Sequence, residues 1–245
     1  MERRRTTDAL WNAATIVAVW ALYSAVRSLT HDGAAVAHEN ARMVWRLQEQ
    51  LGLGIEPVLQ QALLTEVVAT VANTYYLVHF PATAVLFIWT FFRSRDHVFP
   101  ILRDALVAMT LVGLVVHVLF PLAPPRMLDG MIDASVLYGP NPYALPGSEA
   151  ANQLAAMPSM HFAWAIALAW TVMLTTDRSS LRTLGLLHPA LTFFVVIITG
   201  HHFVSDTIVG GIVALGALGV VTLLRRQTAE DASPVSPAIH SLSTS

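Results

Sequence analysis

Charged residues punctuate this chain only at long intervals. Between one Asp, Glu or Arg and the next, uncharged stretches run over residues 9–26, 67–92, 105–125, 150–176, 183–205 and 207–224. A helix needs roughly 20 mostly apolar residues to cross the ~30 Å hydrocarbon layer of a bilayer, so each stretch holds about one span. The pattern predicts spans near 9–28, 73–92, 101–120, 158–176, 183–200 and 204–224. Residues 31–72 read differently. There Glu39, Arg42, Arg46, Gln48, Glu49, Glu56, Gln60 and Gln61 alternate with apolar positions, which predicts one or two interfacial helices broken near Gly52 and Gly54. From Gln227 to Ser245 the chain is rich in Ser, Thr, Pro and Ala and reads as a disordered tail. The expected fold is an all-α integral membrane protein of about six transmembrane helices plus one or two interfacial helices. Its expected units are an N-terminal span (1–30), an external interfacial segment (31–72), a membrane helix bundle (73–226) and a cytoplasmic tail (227–245).

Composition narrows the class. Hydrophobic residues make up 55% of the 245 and charged residues 12%, about half the ~25% of a soluble domain. A disordered chain, a disulfide scaffold and an ordinary soluble enzyme are excluded. Cysteine is absent, which removes thiolate catalysis, Cys-ligated zinc and iron–sulfur clusters. A net charge of −2 carries no nucleic-acid signature. Lysine is also absent, so all 14 basic residues are Arg and any phosphate clamp must use Arg or His. With the N-terminus inside, ten Arg (3, 4, 5, 93, 95, 103, 178, 182, 225 and 226) fall on internal segments and four (27, 42, 46 and 126) on external ones. That bias predicts a multi-pass protein, expected in the plasma membrane, with both termini cytoplasmic. A cleaved signal peptide is the rival reading of the first span, with Arg3–Arg5 as its basic region and Ala35-Val36-Ala37 as the cleavage site. That site lies far beyond the apolar run, after His31 and Asp32.

Polar residues beside the spans are the candidates for chemistry. Three segments fall at external ends: Leu122-Ala123-Pro124-Pro125-Arg126, Ala156-Met157-Pro158-Ser159-Met160-His161, and Thr199-Gly200-His201-His202-Phe203-Val204-Ser205-Asp206. His202 and Asp206 are four residues apart, so a helix puts them on one face within contact range. A carboxylate on one imidazole nitrogen fixes the tautomer and leaves the other nitrogen as nucleophile or base. The plainer reading is an interfacial His beside a helix-capping Asp. His161 follows Pro158-Ser159, a helix start, and is either a proton donor or a structural residue. Arg126, stiffened by two prolines, either clamps an anion or binds lipid headgroups. As a set these residues supply nucleophile, orienting acid, proton donor and anion clamp, the parts that phosphoryl transfer needs.

Pro158-Ser159-Met160-His161 and His202 with Asp206 resemble the second and third signature motifs of the type-2 phosphatidic acid phosphatase superfamily. Ala123-Pro124-Pro125-Arg126, Ala155-Ala156-Met157-Pro158-Ser159-Met160-His161 and Thr199-Gly200-His201-His202-Phe203 are more similar to its inositolphosphotransferase branch, the relatives of inositol phosphorylceramide synthase. The likeness covers roughly residues 70–224. It implies a six-helix core and a metal-independent phosphatase or phosphotransferase with no cofactor. It also implies His202 as the nucleophile that forms a phosphohistidine, Asp206 as its orienter and His161 as the leaving-group acid. Arg126, Ser159 and His201 would then bind phosphate, and His79 and Asn152 would support the site. The implied partners are a lipid phosphoester and an acceptor, either water, a polyol such as inositol or a lipid alcohol. A lipid phosphate or polyprenyl pyrophosphate phosphatase is the alternative.

The chain also departs from the broad superfamily. Leu119 stands where that pattern has Lys, Met127 follows Arg126 in place of Pro, Met160 replaces a Gly, and Val196 replaces an Arg. Two of three expected phosphate-binding cations are therefore missing. A phosphomonoester carries about −1.5 to −2 at neutral pH, a diester about −1, and one Arg with a protonated His suits the diester.

Histidines 79 and 117 lie near the outer ends of two spans. With His161 and His202 they allow a haem reading, but a haem pair needs facing His residues deep in a bundle. For His79, hydrogen bonding with Asn73, Tyr75 or Tyr76 is the expectation. The loop from Asp129 to Gln153, with Asp133, Asn141, Glu149 and Asn152, either contacts a polyol acceptor or forms a solvated lid. A transporter or scaffold, the non-enzyme reading, would need midplane sites and an internal repeat, and neither is legible.

Overall fold

The computed structural model describes residues 33–93, 98–144 and 152–231, together with Ala14, Ala18, Ala21 and Leu22. Apart from those four positions, the span expected over 9–28 lies outside the described residues, as do Arg95, Glu149 and the tail from residue 232. The described elements are α1 (Ala34–Gln50), α2 (Glu56–Leu63), α3 (Glu66–Arg93), α4 (Val98–Leu119), α5 (Ala134–Tyr138), α6 (Met160–Thr175), α7 (Ser179–Ile198) and α8 (Val204–Asp231). A single 3₁₀ turn, Pro125–Met127, follows α4. Among the described residues there is no strand, only an isolated parallel bridge between Leu122 and Ala155.

Among the described residues four helices, α3, α4, α7 and α8, are long and apolar enough to cross a membrane. Of the six spans expected, the first lies outside the described residues but for those four positions. Helix α6 is equally apolar but has 16 residues, a rise of about 24 Å. Ser159 caps its start and extended Thr176 ends it, one residue before charged Asp177. The other differences are at the ends of elements. Helix α3 begins at Glu66, seven residues before the expected boundary, and α8 continues past Gln227 to Asp231. The predicted break between two interfacial helices is present, with Gly52 at φ 70°.

The bundle packs through small residues, as helices must when lipid removes the hydrophobic drive between them. Ala105, Met109, Ala163, Ala167, Ala214 and Leu218 join α4, α6 and α8. Their outer faces carry large apolar side chains such as Val112, Val115, Leu174, Ile212 and Leu215, where lipid contact costs nothing. Thr83, Thr110, Thr171 and Thr192 each donate to the carbonyl one turn back, so their hydroxyls need no outside partner. At the end of the bundle formed by the start of α4 and the C-terminal part of α8, Arg225 pairs with Asp104. The opposite end gathers the C-terminus of α4, the N-termini of α6 and α8, and the C-terminus of α7.

Candidate active site

That second end brings the three candidate segments together. Leu122 and Ala156 exchange backbone hydrogen bonds with the neighbouring segment, Leu122 N to Leu154 O at 2.8 Å and Ala156 N to Leu122 O at 3.1 Å. Arg126 N donates to Gly200 O at 2.9 Å. Gly200 must be glycine there. Its φ is 75°, and a Cβ would stand 2.8 Å from Ile132 O and 2.9 Å from Arg126 Cβ. Ser159 N donates to Asp206 O at 2.9 Å, while Gly210 lies so close that a Cβ would meet Ser159 O at 2.5 Å. The second and third segments are thus held together backbone to backbone.

His202 lies two residues before α8 and is buried. Its Nδ1 stands 2.8 Å from Ala156 O and 3.6 Å from Asp206 Oδ2. The carbonyl is an acceptor only, so Nδ1 carries the proton and Nε2 keeps its lone pair. Asp206 Oδ2 also accepts from Phe203 N at 2.9 Å. With Phe203 at the N-cap and Asp206 three residues on, this is half of a capping box. Asp206 caps α8, and its Oδ2 lies just beyond hydrogen-bond reach of His202 Nδ1, whose partner is the Ala156 carbonyl.

His161 is in the first turn of α6, with its ring centroid 5.8 Å from that of His202. Tyr76 of α3 lies between His161, at 4.1 Å and 26°, and His201, at 3.9 Å and 21°. His201 Nδ1 is 2.8 Å from Thr199 Oγ1. Burial, then the positive charge of Arg126, pushes the His201 imidazole well below its ordinary value of 6.5, so it is neutral at pH 7. Ser159 is fully buried, and its hydroxyl accepts from Phe162 N as the α6 cap at 3.4 Å.

Arg126 is the anion clamp candidate. One guanidinium nitrogen donates to Gln153 Oε1 at 3.0 Å, Nε lies 3.5 Å from Asp133 Oδ2, and the group sits 4.5 Å over the Tyr143 ring. Among the described residues, Arg126 Nη1, His161 Nε2 and His201 Nε2 are buried without a hydrogen-bond partner. An unpaired buried donor is costly, and the Arg126 guanidinium, which can only donate, fits an anion. His201 Nε2 is an acceptor, because Thr199 Oγ1 gives its own proton to Val195 O and so accepts from His201 Nδ1. His117, in the last turn of α4, also has both ring nitrogens unpartnered.

Of the two supporting candidates, His79 and Asn152, His79 has its Nε2 buried without a hydrogen-bond partner among the described residues. The Asn73 amide goes to Ala134 O and Gly139 O, and the Tyr75 hydroxyl to His188 and Thr192. His79 instead packs its ring 5.2 Å from His161 and 5.4 Å from His188. Asn152 accepts from Leu154 N at 3.0 Å, a local turn, and its neighbour Gln153 is the residue that reaches Arg126. In the loop, Asp133 caps α5 and Asn141 accepts from Tyr143 N. Sequence reading missed Tyr143, Gln153 and the carbonyl of Ala156, which carry no motif of their own.

At the positions that depart from the superfamily pattern, Met160 packs on Gly113, where a Cβ would stand 2.8 Å from its sulfur. Val196 is buried beside Ile197 and Val204, and Leu119 is 77% exposed. Neither position brings a cation to the site. Among the described residues no group of three or more His, Cys, Asp or Glu is arranged to hold a metal.

A family model described as PAP2 superfamily matches residues 42–220. Neither a curated protein nor a solved structure gives a significant match.

Proposed function

Since the chain belongs to the PAP2 superfamily, a family typically of phosphatases, we propose that it is a membrane-embedded phosphotransferase that moves a phosphorylated polyol headgroup between lipid and alcohol. The observation that carries this reading is the buried and unpartnered Arg126 Nη1, together with the unpartnered His161 Nε2, whose ring lies 5.8 Å from that of His202. A buried guanidinium with an unpaired N–H selects an anion. With Leu119 and Val196 contributing no charge, Arg126 is the one guanidinium in the three segments, which favours a diester over a doubly charged monoester.

In the first step His202 Nε2 attacks phosphorus. An N–P bond forms as the P–O bond to the lipid alcohol breaks, and His161 gives its proton to the departing alkoxide. A buried imidazolium needs a counter-charge, and the substrate phosphate provides one. In the second step an acceptor hydroxyl attacks phosphorus, its proton passes to His161, and the N–P bond breaks to restore His202. Asp206 stabilises the His202 ring while it carries positive charge. No metal takes part, and the site opens to the extracytoplasmic side of the plasma membrane.

The test uses purified protein in detergent with lipid phosphomonoesters, a polyprenyl pyrophosphate and lipid phosphodiesters with a polyol headgroup, with and without a lipid alcohol acceptor. Transfer of the phosphorylated headgroup that needs both the diester and the acceptor alcohol, and that persists in EDTA, is expected. Hydrolysis of monoesters alone would make the protein a lipid phosphatase. Loss on chelation with rescue by one metal would overturn the metal-free chemistry.

A further inference from the structure

The helical hairpin α1–α2 contains three polar side chains that an interfacial helix pair would turn to water. Gln48, Glu56 and Gln60 are instead buried, at 1%, 0% and 2% exposure. Gln48 Nε2 donates to Glu56 Oε1 at 2.8 Å, joining the two helices. The same Glu56 oxygen accepts from Val204 N at 2.9 Å, and Gln48 Oε1 accepts from Ser205 N at 2.6 Å. Val204 and Ser205 are the first two residues of α8. Helix N-termini leave their first amides without intrahelical partners, and here a hairpin about 150 residues earlier in the chain supplies them. Between those amides and the ring of His202 stands only Phe203, whose own amide Asp206 accepts.

Gln60 works at another edge of the site. Its Nε2 donates to Ile132 O at 2.9 Å and to Ile198 O at 3.2 Å, while its Oε1 accepts from Ile132 N at 2.9 Å. Ile132 precedes Asp133, the carboxylate beside Arg126, and Ile198 ends α7. Ala37 O also accepts from Ala123 N, and Asn40 donates to Pro121 O. The hairpin therefore holds each side of the site by a different residue.

We propose that α1–α2 is a positioning brace for the active site, in which Glu56 and Gln48 set the His202–Asp206 turn and Gln60 sets the Arg126 loop. The inference rests on the phosphotransfer reading above and adds Glu56 and Gln60 as positioning residues. Burial pushes the Glu56 carboxyl up from its ordinary range, against the hydrogen bonds from Gln48 and Val204 that lower it. Both bonds use Glu56 Oε1 as an acceptor, a role that a glutamine carbonyl oxygen can fill.

Kinetics of Glu56→Ala, Glu56→Gln and Gln60→Ala on the best lipid phosphoester test the brace, with His202→Ala as control. Glu56→Ala should lower kcat by about tenfold or more and leave KM within about twofold, because a misplaced nucleophile slows chemistry without changing ground-state binding. Glu56→Gln should recover kcat to within about threefold. Gln60→Ala should raise KM about tenfold with a smaller change in kcat, because the anion clamp moves. Amide hydrogen exchange over residues 203–206 gives a second readout, rising in Glu56→Ala and not in Glu56→Gln. Equal falls in kcat for Glu56→Ala and Gln60→Ala, no rescue by glutamine, or unchanged exchange would overturn the brace. An active His202→Ala would instead overturn the phosphotransfer reading. An inactive His202→Ala beside wild-type-like Glu56→Ala and Gln60→Ala would overturn the brace alone.

Discussion

His202 and His161 differ in what surrounds their rings, and that difference separates their roles. His202 is held at Nδ1 by the Ala156 carbonyl with Asp206 behind it, whereas His161 stacks on Tyr76 and has a bare Nε2. His202→Ala should abolish turnover on every substrate, together with any trapped phosphoenzyme. His161→Ala should lose about 10²–10⁴-fold on a lipid ester, whose alkoxide needs an acid, and far less on a nitrophenyl ester, whose phenolate leaves nearly unaided. Comparing the two substrates checks the assignment, and equal losses would move the acid elsewhere. His201 makes a separate prediction about pH. Its folded-state pKa is depressed by burial and then by Arg126, so below its ordinary value the unfolded chain takes up a proton that the folded chain refuses. The stability contributed by this residue falls as pH drops through 6.5. The loss of Tm as pH falls through that value should be smaller in His201→Asn than in wild type.

At the scale of elements, the site depends on two helices meeting without side chains between them. Helix α8 crosses the start of α6 at Gly210, and a Cβ there would stand 2.5 Å from the Ser159 carbonyl oxygen. That contact is with backbone, so no rotamer change relieves it. Gly210→Ala should cost about 1–3 kcal/mol, read as a lower Tm in detergent. It should also reduce activity, because the Ser159–Asp206 backbone bond lies at the same crossing. The contact at Gly113 is of another kind, because it meets the sulfur of Met160, a side chain free to turn.

For the whole molecule, the candidate residues share one end of the bundle, and the Arg225–Asp104 pair lies at the other. Ten of the 14 Arg fall on the segments expected inside the cell, so the site end is expected outside the cytoplasm. The chain has no native Cys, which makes the measurement clean. In intact cells, Leu137→Cys, 63% exposed at the site end, should react with a membrane-impermeant thiol reagent. Ser179→Cys, at the opposite end of α7, should not. The reverse labelling would invert the topology and the side from which substrate enters.

Much of this was legible without coordinates because charge is nearly excluded from lipid-facing helix. The gaps between charged residues therefore located α3, α4, α7 and α8, and the Pro, His and Asp of the three segments stood out at their ends. Helix ends were less legible, since the extension of α3 back to Glu66 and of α8 on to Asp231 depends on local backbone geometry. The hairpin α1–α2 was misread in one respect. The buried stripe Ala37, Ala41 and Val44 continues to Gln48 at helical spacing, but a polar residue in such a stripe reads as solvent-facing until its partner is known. Those partners, Val204 and Ser205, lie more than 140 residues along the chain. For the same reason only the tertiary structure could show Ala156 holding His202, Gln153 on Arg126 and Met160 seated on Gly113. Hydrophobic pattern is a local property of the chain and can be read residue by residue. Hydrogen bonds between distant segments are decided by where packed helices place their ends.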